Sequence, residues 1–116
     1  MDRTLNRIEL RGNIGADPKI TQMENGANVV RFSLATHETF KTKEGNIKEE
    51  TTWHNIVLWD YNQLQGLEGL KKGAYVNIVG KIKYSRYKAQ NGEERFTAEI
   101  IAQKIDFPVM KSTINS

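Results

Sequence analysis

The only two tryptophans of the chain, Trp53 and Trp59, both lie in one strand-like stretch, residues 51–60. Because the side chains of a strand alternate between two faces, both rings point to the same side, together with Asn55 and Val57. The residues on the opposite side suit a core and are His54, Ile56 and Leu58. A soluble domain seldom leaves two large aromatic rings on one open face without a partner. We therefore predict a platform on which flat ligands stack, most commonly nucleobases; the alternative is that both rings are core residues of a strand buried on both sides.

Groups that could support catalysis or bind a metal are sparse. The chain has no cysteine, so it can form neither a disulfide framework nor a thiolate metal site. Its only histidines are His37 and His54, and His54 lies on the apolar side of its strand, where a hydrogen-bonded structural or interface role is favoured over metal ligation. No Ser-His-Asp arrangement, phosphate-binding glycine loop or zinc spacing occurs. The sequence therefore predicts binding without enzymatic activity, a cofactor or a metal.

Charge is distributed unevenly along the 116 residues, which carry 17 Lys and Arg against 14 Asp and Glu, a net charge of +3. Four basic residues cluster with no acid among them: Lys81, Lys83, Arg86 and Lys88. A basic hairpin arm that binds a polyanion explains this cluster. The alternative is a solvated edge strand whose lysines prevent aggregation.

The length favours one domain, and no apolar run approaches the length that spans a membrane. The first residues, Met1 to Thr4, are polar and lead directly into a strand-like pattern, unlike a signal peptide. We therefore expect a cytoplasmic protein in a reducing compartment.

Alternating apolar residues predict five strands. The first four lie at about residues 3–14, 28–39, 51–60 and 74–87, and the fifth follows the Asn91-Gly92 turn. In the fifth strand, Phe96, Ala98 and Ile100 are expected to point inward. Asp17-Pro18 and Asn25-Gly26 predict a loop and a turn between the first two strands, and the polar residues 41–50 predict a mobile hairpin loop.

One short helix is predicted from Asp60 to Lys72, with Asp60 as its cap and Gly73 as its stop. Five strands with a helix between the third and fourth follow the order of an OB-fold barrel. We therefore predict an all-β, five-stranded OB-fold domain over residues 1–107. A short, disordered tail is expected over residues 108–116.

Phe40 has the core-facing parity of the second predicted strand, so alternation alone buries it. For Phe40 to join a binding surface, the strand must bulge or end before it. The sequence leaves both arrangements open.

A series of short motifs resembles the bacterial single-stranded DNA-binding protein (SSB) family, in that family's order and nearly its spacing, over about residues 3–105. They are Gly12-Asn13-Ile14-Gly15-Ala16-Asp17-Pro18, Asn25-Gly26, Phe32-Ser33-Leu34-Ala35-Thr36, Thr52-Trp53-His54, Leu70-Lys71-Lys72-Gly73 and Val79-Gly80-Lys81-Ile82. No single motif is persuasive, but the whole series is specific. The resemblance implies an OB-fold homotetramer that binds and protects single-stranded DNA, without sequence preference, in replication, recombination and repair.

The resemblance also implies which residues bind DNA. Bases stack on aromatic residues at the positions of Phe40, Trp53, Trp59 and Tyr87. Basic residues contact the DNA backbone at the positions of Arg3, Lys43, Lys72, Lys83, Arg86 and Arg95, and Lys81 of the basic cluster joins them. His54 stands at a position near subunit contacts in the family. Where this chain has Phe40 and Tyr87 the family commonly has Trp, so a ring is kept; Asn55 stands where a basic residue is familiar, which weakens the case for a phosphate contact there.

Family members usually continue into a Gly/Pro/Gln-rich linker and an acidic tip that recruits replication and repair enzymes. This chain stops at Ile114-Asn115-Ser116, so recruitment through such a tip is doubtful, and a mobile-element or accessory form is an alternative. The nearest rival is an accessory primosome-type protein, a related OB dimer that bridges other replication proteins. A protein-binding or sugar-binding OB module is a rival of another class. An OB-type nuclease is disfavoured because no cluster of acids suits a metal.

Overall fold

The computed structural model describes residues 3–60 and 69–108, and the strands in this part form one sheet that closes on itself. In chain order they are β1 (Ile8–Ile14), β2 (Lys19–Gln22), β3 (Asn28–Lys41), β4 (Ile47–Asp60), β5 (Tyr75–Lys88) and β6 (Glu94–Asp106). Their order across the sheet is β1-β5-β6-β4-β3-β2, and an additional β1–β3 pairing closes five of them into a barrel. The predicted all-β, five-stranded OB barrel is confirmed.

The loop at Asp17-Pro18 and the turn at Asn25-Gly26 are present as the sequence predicts, but the strand β2 lies between them and was not predicted. It is hydrogen-bonded to β3 alone, outside the closed barrel. All four of its residues are exposed, so β2 has no buried face and leaves no hydrophobic alternation to detect. The turn that joins β2 to β3 contains Gly26, whose φ of 88° favours glycine.

The predicted helix from Asp60 to Lys72 falls largely outside the described residues, because 61–68 are not among them. Of its described ends, Asp60 is the last residue of β4. At the other end, Lys71 to Ala74 form a turn in which the Ala74 N–H donates to the Lys71 carbonyl at 3.0 Å. Residues 109–116 of the predicted tail also lie outside the described part.

The core lies inside the barrel and is built from alternate residues of the strands together with Leu70, which precedes β5. Its buried members are Ile14, Val30, Phe32, Leu34, Ile56, Leu58, Leu70, Val76, Ile78, Ile100 and Ala102. The register pairs Phe32 with Ile56 and Val30 with Leu58, so the apolar side of the tryptophan strand faces this core, as the sequence predicts.

Two hairpin arms, one formed by β3 and β4 and one by β5 and β6, extend past the core. On the second arm Tyr84 and Phe96 are 69% and 67% exposed, and Ala98 is exposed as well. The prediction that Phe96 and Ala98 point into the core is therefore wrong, whereas Ile100 is buried as predicted. Alternation correctly predicts which residues share a face of the strand, but it does not show where the strand extends beyond the barrel.

Two glycines allow strands to approach closely where the barrel closes. A Cβ atom on Gly12 would overlap the backbone carbonyl oxygen of Ala35, and one on Gly80 would overlap that of Ile101. The Gly12 contact lies beside the β1–β3 pairing that closes the barrel, where Asn13 pairs with Ala35. Backbone atoms at such a crossing cannot move aside as a flexible side chain can.

We expect Gly12→Ala to lower the free energy of unfolding by about 3 kcal/mol, the upper end of the usual cost of overpacking. Gly26→Ala is the matched control: its methyl enters open space, so it bears only the left-handed backbone cost of about 1 kcal/mol. Urea unfolding of both variants measures the difference. Equal stability of the two variants would contradict the close crossing at Gly12.

Candidate nucleic-acid interface

The outer face of the barrel is the solvent side of the β5-β6-β4-β3 part of the sheet, and it carries both tryptophan rings. Trp53 pairs with Ala35 and is 59% exposed, and Trp59 pairs with Val29 and is half-buried. The alternative in which both rings are core residues is therefore wrong. Trp53 is therefore the more exposed of the two rings. Val57, which lies between them on the strand, is buried.

The Trp53 ring packs closely against Gly15. A Cβ atom on Gly15 would overlap ring atoms of Trp53 and come within 3.1 Å of the Ser33 hydroxyl oxygen. The Gly15 N–H donates to the Ser33 carbonyl at 3.0 Å, which holds the end of β1 against β3. Ala35 and Ser33 are small, so they leave room on β3 for the indole, which remains 59% exposed.

The loop that follows Gly15 also anchors Lys72, a predicted backbone contact. The Asp17 carboxylate accepts the Lys72 backbone N–H at 2.9 Å. Next to it, the Gly73 N–H donates to the Ile14 carbonyl at 2.7 Å. These bonds fix the turn before β5 against the end of β1, so the base of Lys72 is tied to the same short segment that supports Trp53.

Three basic residues and one aromatic residue of the second arm share the outer face. The β5–β6 register places Lys81, Lys83, Tyr87 and Arg95 on the same side of that hairpin. Tyr87 is 51% exposed and pairs directly with Arg95, whose guanidinium forms an ion pair with Glu93 at 3.7 Å. The arm therefore presents an open ring beside cations on the same face of the sheet as Trp53.

Phe40 and Arg86 do not lie on this face. The β3–β4 register runs without a break from Asn28 to Lys41, so β3 neither bulges nor ends before Phe40. Phe40 is 46% exposed because β3 has already left the core, and alternation places its ring on the side opposite Trp53. Arg86 lies 5.5 Å from the centre of the Phe96 ring and contacts Glu94 at 3.4 Å, on the inner side of its arm.

The two remaining predicted backbone contacts lie away from the barrel wall. Arg3 precedes β1, and Lys43 lies in the turn of the first arm, where the Thr42 N–H donates to the Asn46 carbonyl at 2.8 Å. Both side chains are exposed. Arg3 lies before the first strand and Lys43 lies in the turn at the tip of the first arm, so a long ligand can reach both.

His54 is half-buried on the inner side of β4, opposite Leu34. Its Nε2 lies 2.9 Å from the Thr36 hydroxyl oxygen. Burial lowers the pKa of its imidazole below the usual value of 6.5.

In residues 3–60 and 69–108 no group of three His, Asp or Glu side chains could hold a metal ion. In the same residues no helix is long and apolar enough to cross a membrane.

Sequence reasoning missed Gly15, Asp17, Arg31 and Glu99 as contributors to this face. Arg31 donates to the Glu99 carboxylate at 2.8 Å across β4. Alternation does place Arg31 on the outer side of β3, but the partner is 68 residues away in sequence, and only the register of three strands brings the two together.

A closed OB barrel with open aromatic rings and basic side chains on one face defines a class of barrel that binds oligonucleotides or oligosaccharides. The chain matches the model of the single-strand binding protein family over residues 5–108. It is 37% identical over 106 residues to a single-stranded DNA-binding protein of Xylella fastidiosa. The match covers 90% of this chain and 64% of that protein.

Two solved structures are similar to this fold. One is a Plasmodium falciparum SSB complex with ssDNA, with a TM-score of 0.78 and 31% identity, covering 91% of this chain and 95% of that one. The other is a deletion mutant of the single-stranded DNA binding protein from Thermus aquaticus, with a TM-score of 0.72 and 24% identity, covering 88% and 49%. The second likeness shows the fold alone.

The chain therefore belongs to the single-strand binding protein family. Proteins of this family bind DNA and are not enzymes. The chain spans 64% of the length of the Xylella fastidiosa relative that it matches.

We expect Gly15→Ala to displace the Trp53 indole, because the new methyl group and the ring cannot occupy the same space. In a Trp59→Phe background, Trp53 is the only indole, so its emission maximum reports the displacement. Gly45→Ala is the control, since its methyl group enters open space in the turn of the first arm. An unchanged emission maximum in Gly15→Ala would contradict the packing.

We expect His54 to make the free energy of unfolding depend on pH. Its lowered pKa means that the folded protein favours the neutral imidazole, so below about pH 6.5 the unfolded chain takes up the proton first. The His54 contribution is complete above pH 6.5 and falls as the pH decreases towards the lowered pKa.

Urea unfolding between pH 5 and 8 compares the wild type with His54→Gln, whose amide keeps a hydrogen-bonding partner for Thr36. The variant should lose this part of the pH dependence, and His37→Gln should keep it. The same fall in both the wild type and His54→Gln would rule out His54 as its source.

Proposed function

We propose that this protein binds single-stranded DNA without sequence preference and protects it during replication, recombination and repair. The observation that carries the proposal is the Trp53 ring, 59% exposed on the outer wall of a closed OB barrel, in a chain of the single-strand binding protein family. The similar fold of the Plasmodium falciparum SSB complex with ssDNA supports it further.

Base stacking supplies the selectivity for single strands. Every base presents a π-face, so an aromatic ring accepts any of them, at roughly 1–3 kcal/mol per base. In duplex DNA these faces are covered by the neighbouring base pairs, and the rings cannot reach them. We assign stacking to Phe40, Trp53, Trp59 and Tyr87. Phe40 lies on the other side of its arm, so in this proposal the DNA passes around the edge of the β3–β4 arm to reach it.

Basic side chains supply the attraction for the DNA backbone. We assign these contacts to Arg3, Lys43, Lys72, Lys81, Lys83, Arg86 and Arg95. Each phosphate neutralised on a single strand releases counterions, so the logarithm of the binding constant falls with the logarithm of salt with a slope of about −0.7 per contact. Because Lys81, Lys83 and Arg95 share the outer face with the rings, one strand can use both kinds of contact.

We further propose that the protein acts as a cytoplasmic homotetramer, with His54 near a contact between subunits. His54 supports this role because it is half-buried at the end of the core, opposite Leu34, where a second subunit would complete its burial. Mass in solution tests the assembly. A tetramer supports the proposal, whereas a dimer favours the accessory primosome-type protein.

We expect Trp53→Ala to weaken oligo-dT binding by about 5- to 140-fold, which corresponds to the loss of one stacked base. Trp59→Ala should weaken it less, because that ring is already half-buried. Phe107→Ala is the control: its ring is 46% exposed just after the end of β6 at Asp106, and no DNA contact is assigned to it. Titration at moderate salt, followed by fluorescence anisotropy of labelled oligo-dT, measures all three. Normal binding by both tryptophan variants would refute the stacking assignment.

A further inference from the structure

The stretch of the outer face between the two tryptophans carries an ion pair that no stacking or backbone assignment above includes. Trp53 and Trp59 are six residues apart on one strand, which is about 20 Å. Stacked nucleotides repeat at about 3.4 Å, so a strand that stacks on both rings carries several nucleotides between them. This inference rests on the proposed function, because it concerns the path of the same DNA strand.

The surface under that path is a groove of about 220 Å³. It is lined by Arg31, Phe32, Asn55, Ile56, Val57 and Glu99. Arg31 pairs with Val57 across β3 and β4, and Val57 in turn lies beside Ile101 of β6. Arg31 therefore reaches diagonally over β4 to Glu99, and the pair spans the groove midway between the rings.

The Arg31 guanidinium is only partly used by this contact. Its Nη1 donates to Glu99 Oε2 at 2.8 Å, and its side chain remains 52% exposed. Within residues 3–60 and 69–108 its other N–H groups donate to no protein atom in a hydrogen bond. A guanidinium has five donors in a planar fork, so one edge can hold a carboxylate while another binds a phosphate.

Glu99 is the more buried member of the pair, with 22% of its side chain exposed, and it lies opposite Lys83 in the β5–β6 register. Its carboxylate therefore lies between a cation of β3 and a cation of β5. Arg31, Lys81 and Lys83 contribute three positive charges to this part of the face and Glu99 one negative charge, which leaves a net charge of +2 where the DNA backbone would pass.

We propose that Arg31 binds a phosphate of the DNA segment between the bases stacked on Trp53 and Trp59, and that Glu99 orients Arg31 while moderating its attraction. Asn55 lies in the same groove and carries no charge, so among the residues that line the groove Arg31 supplies the positive charge. The Glu99 carboxylate repels phosphate, so it lowers the affinity and makes the binding less sensitive to salt.

The test measures oligo-dT binding against salt concentration for the wild type, Arg31→Gln, Arg31→Lys and Glu99→Gln. Arg31→Gln should bind about three- to tenfold more weakly. This loss of affinity lies between the loss expected for an exposed charged contact and that expected for a buried one. Its log–log salt slope should be about 0.7 less steep. Arg31→Lys keeps the charge and should keep the slope, which separates a phosphate contact from a purely structural role.

Glu99→Gln keeps an acceptor oxygen for Arg31 but removes the negative charge, so it should bind about two- to fivefold more tightly at low salt. Lys104→Gln is the charge-matched control. Lys104 pairs with Val79, outside the groove, and forms an ion pair with Asp106 at 3.8 Å that is more exposed than the Arg31–Glu99 pair. Its salt slope should change far less than that of Arg31→Gln. Unfolding curves confirm that each variant is folded.

Wild-type affinity and slope in Arg31→Gln, together with weak binding by Trp53→Ala, would overturn this inference and leave the proposed function standing. Weaker binding by Glu99→Gln would overturn the moderating role of the carboxylate. Failure of the wild type to bind oligo-dT at any salt concentration would overturn the proposed function and this inference together.

Discussion

The outer face depends on one constraint, the alternation of side chains along β4 while that strand is hydrogen-bonded on both sides. β3 runs antiparallel along its whole length, and β6 runs parallel beside Ile56 and Val57. With both neighbours in register, a slip of one residue would expose Ile56 and Leu58 and bury the tryptophans, which the core does not permit. Core packing on one side therefore sets which rings face outward on the other.

The barrel and its arms differ in how they present the rings and cations that we propose contact DNA. Inside the barrel, β4 has its core residues buried on one side and Trp53 held on Gly15 on the other. On the arms, both faces of each hairpin are open, so rings and cations are available on two sides, with Phe40 and Arg86 opposite the main face. A flexible polymer can use such separated contacts, because it bends around an edge that a small rigid ligand could not cross.

Neighbouring residues restrain the groups that would contact DNA. Gly15 limits where the Trp53 ring can lie, Asp17 holds the backbone at Lys72, and Glu99 holds one edge of Arg31. Ordering a long side chain in advance lowers the entropy lost on binding. Each restraint also has a cost: the acids reduce the positive field that attracts a polyanion, and the crowded glycine tolerates no larger residue.

The sequence by itself determined the all-β barrel, the family, and which face of the tryptophan strand packs into the core and which carries the rings. Each of these follows from the alternation of apolar residues or from short motifs of neighbouring residues. It could not show that β2 exists, because that strand has no buried face, nor that Phe96 lies outside the core, because alternation does not mark where a strand leaves the barrel. Only the tertiary structure decided how Gly15 meets Trp53 and how Arg31 meets Glu99. Those contacts join residues far apart in the chain, and they depend on the register of several strands at once, which no local pattern encodes.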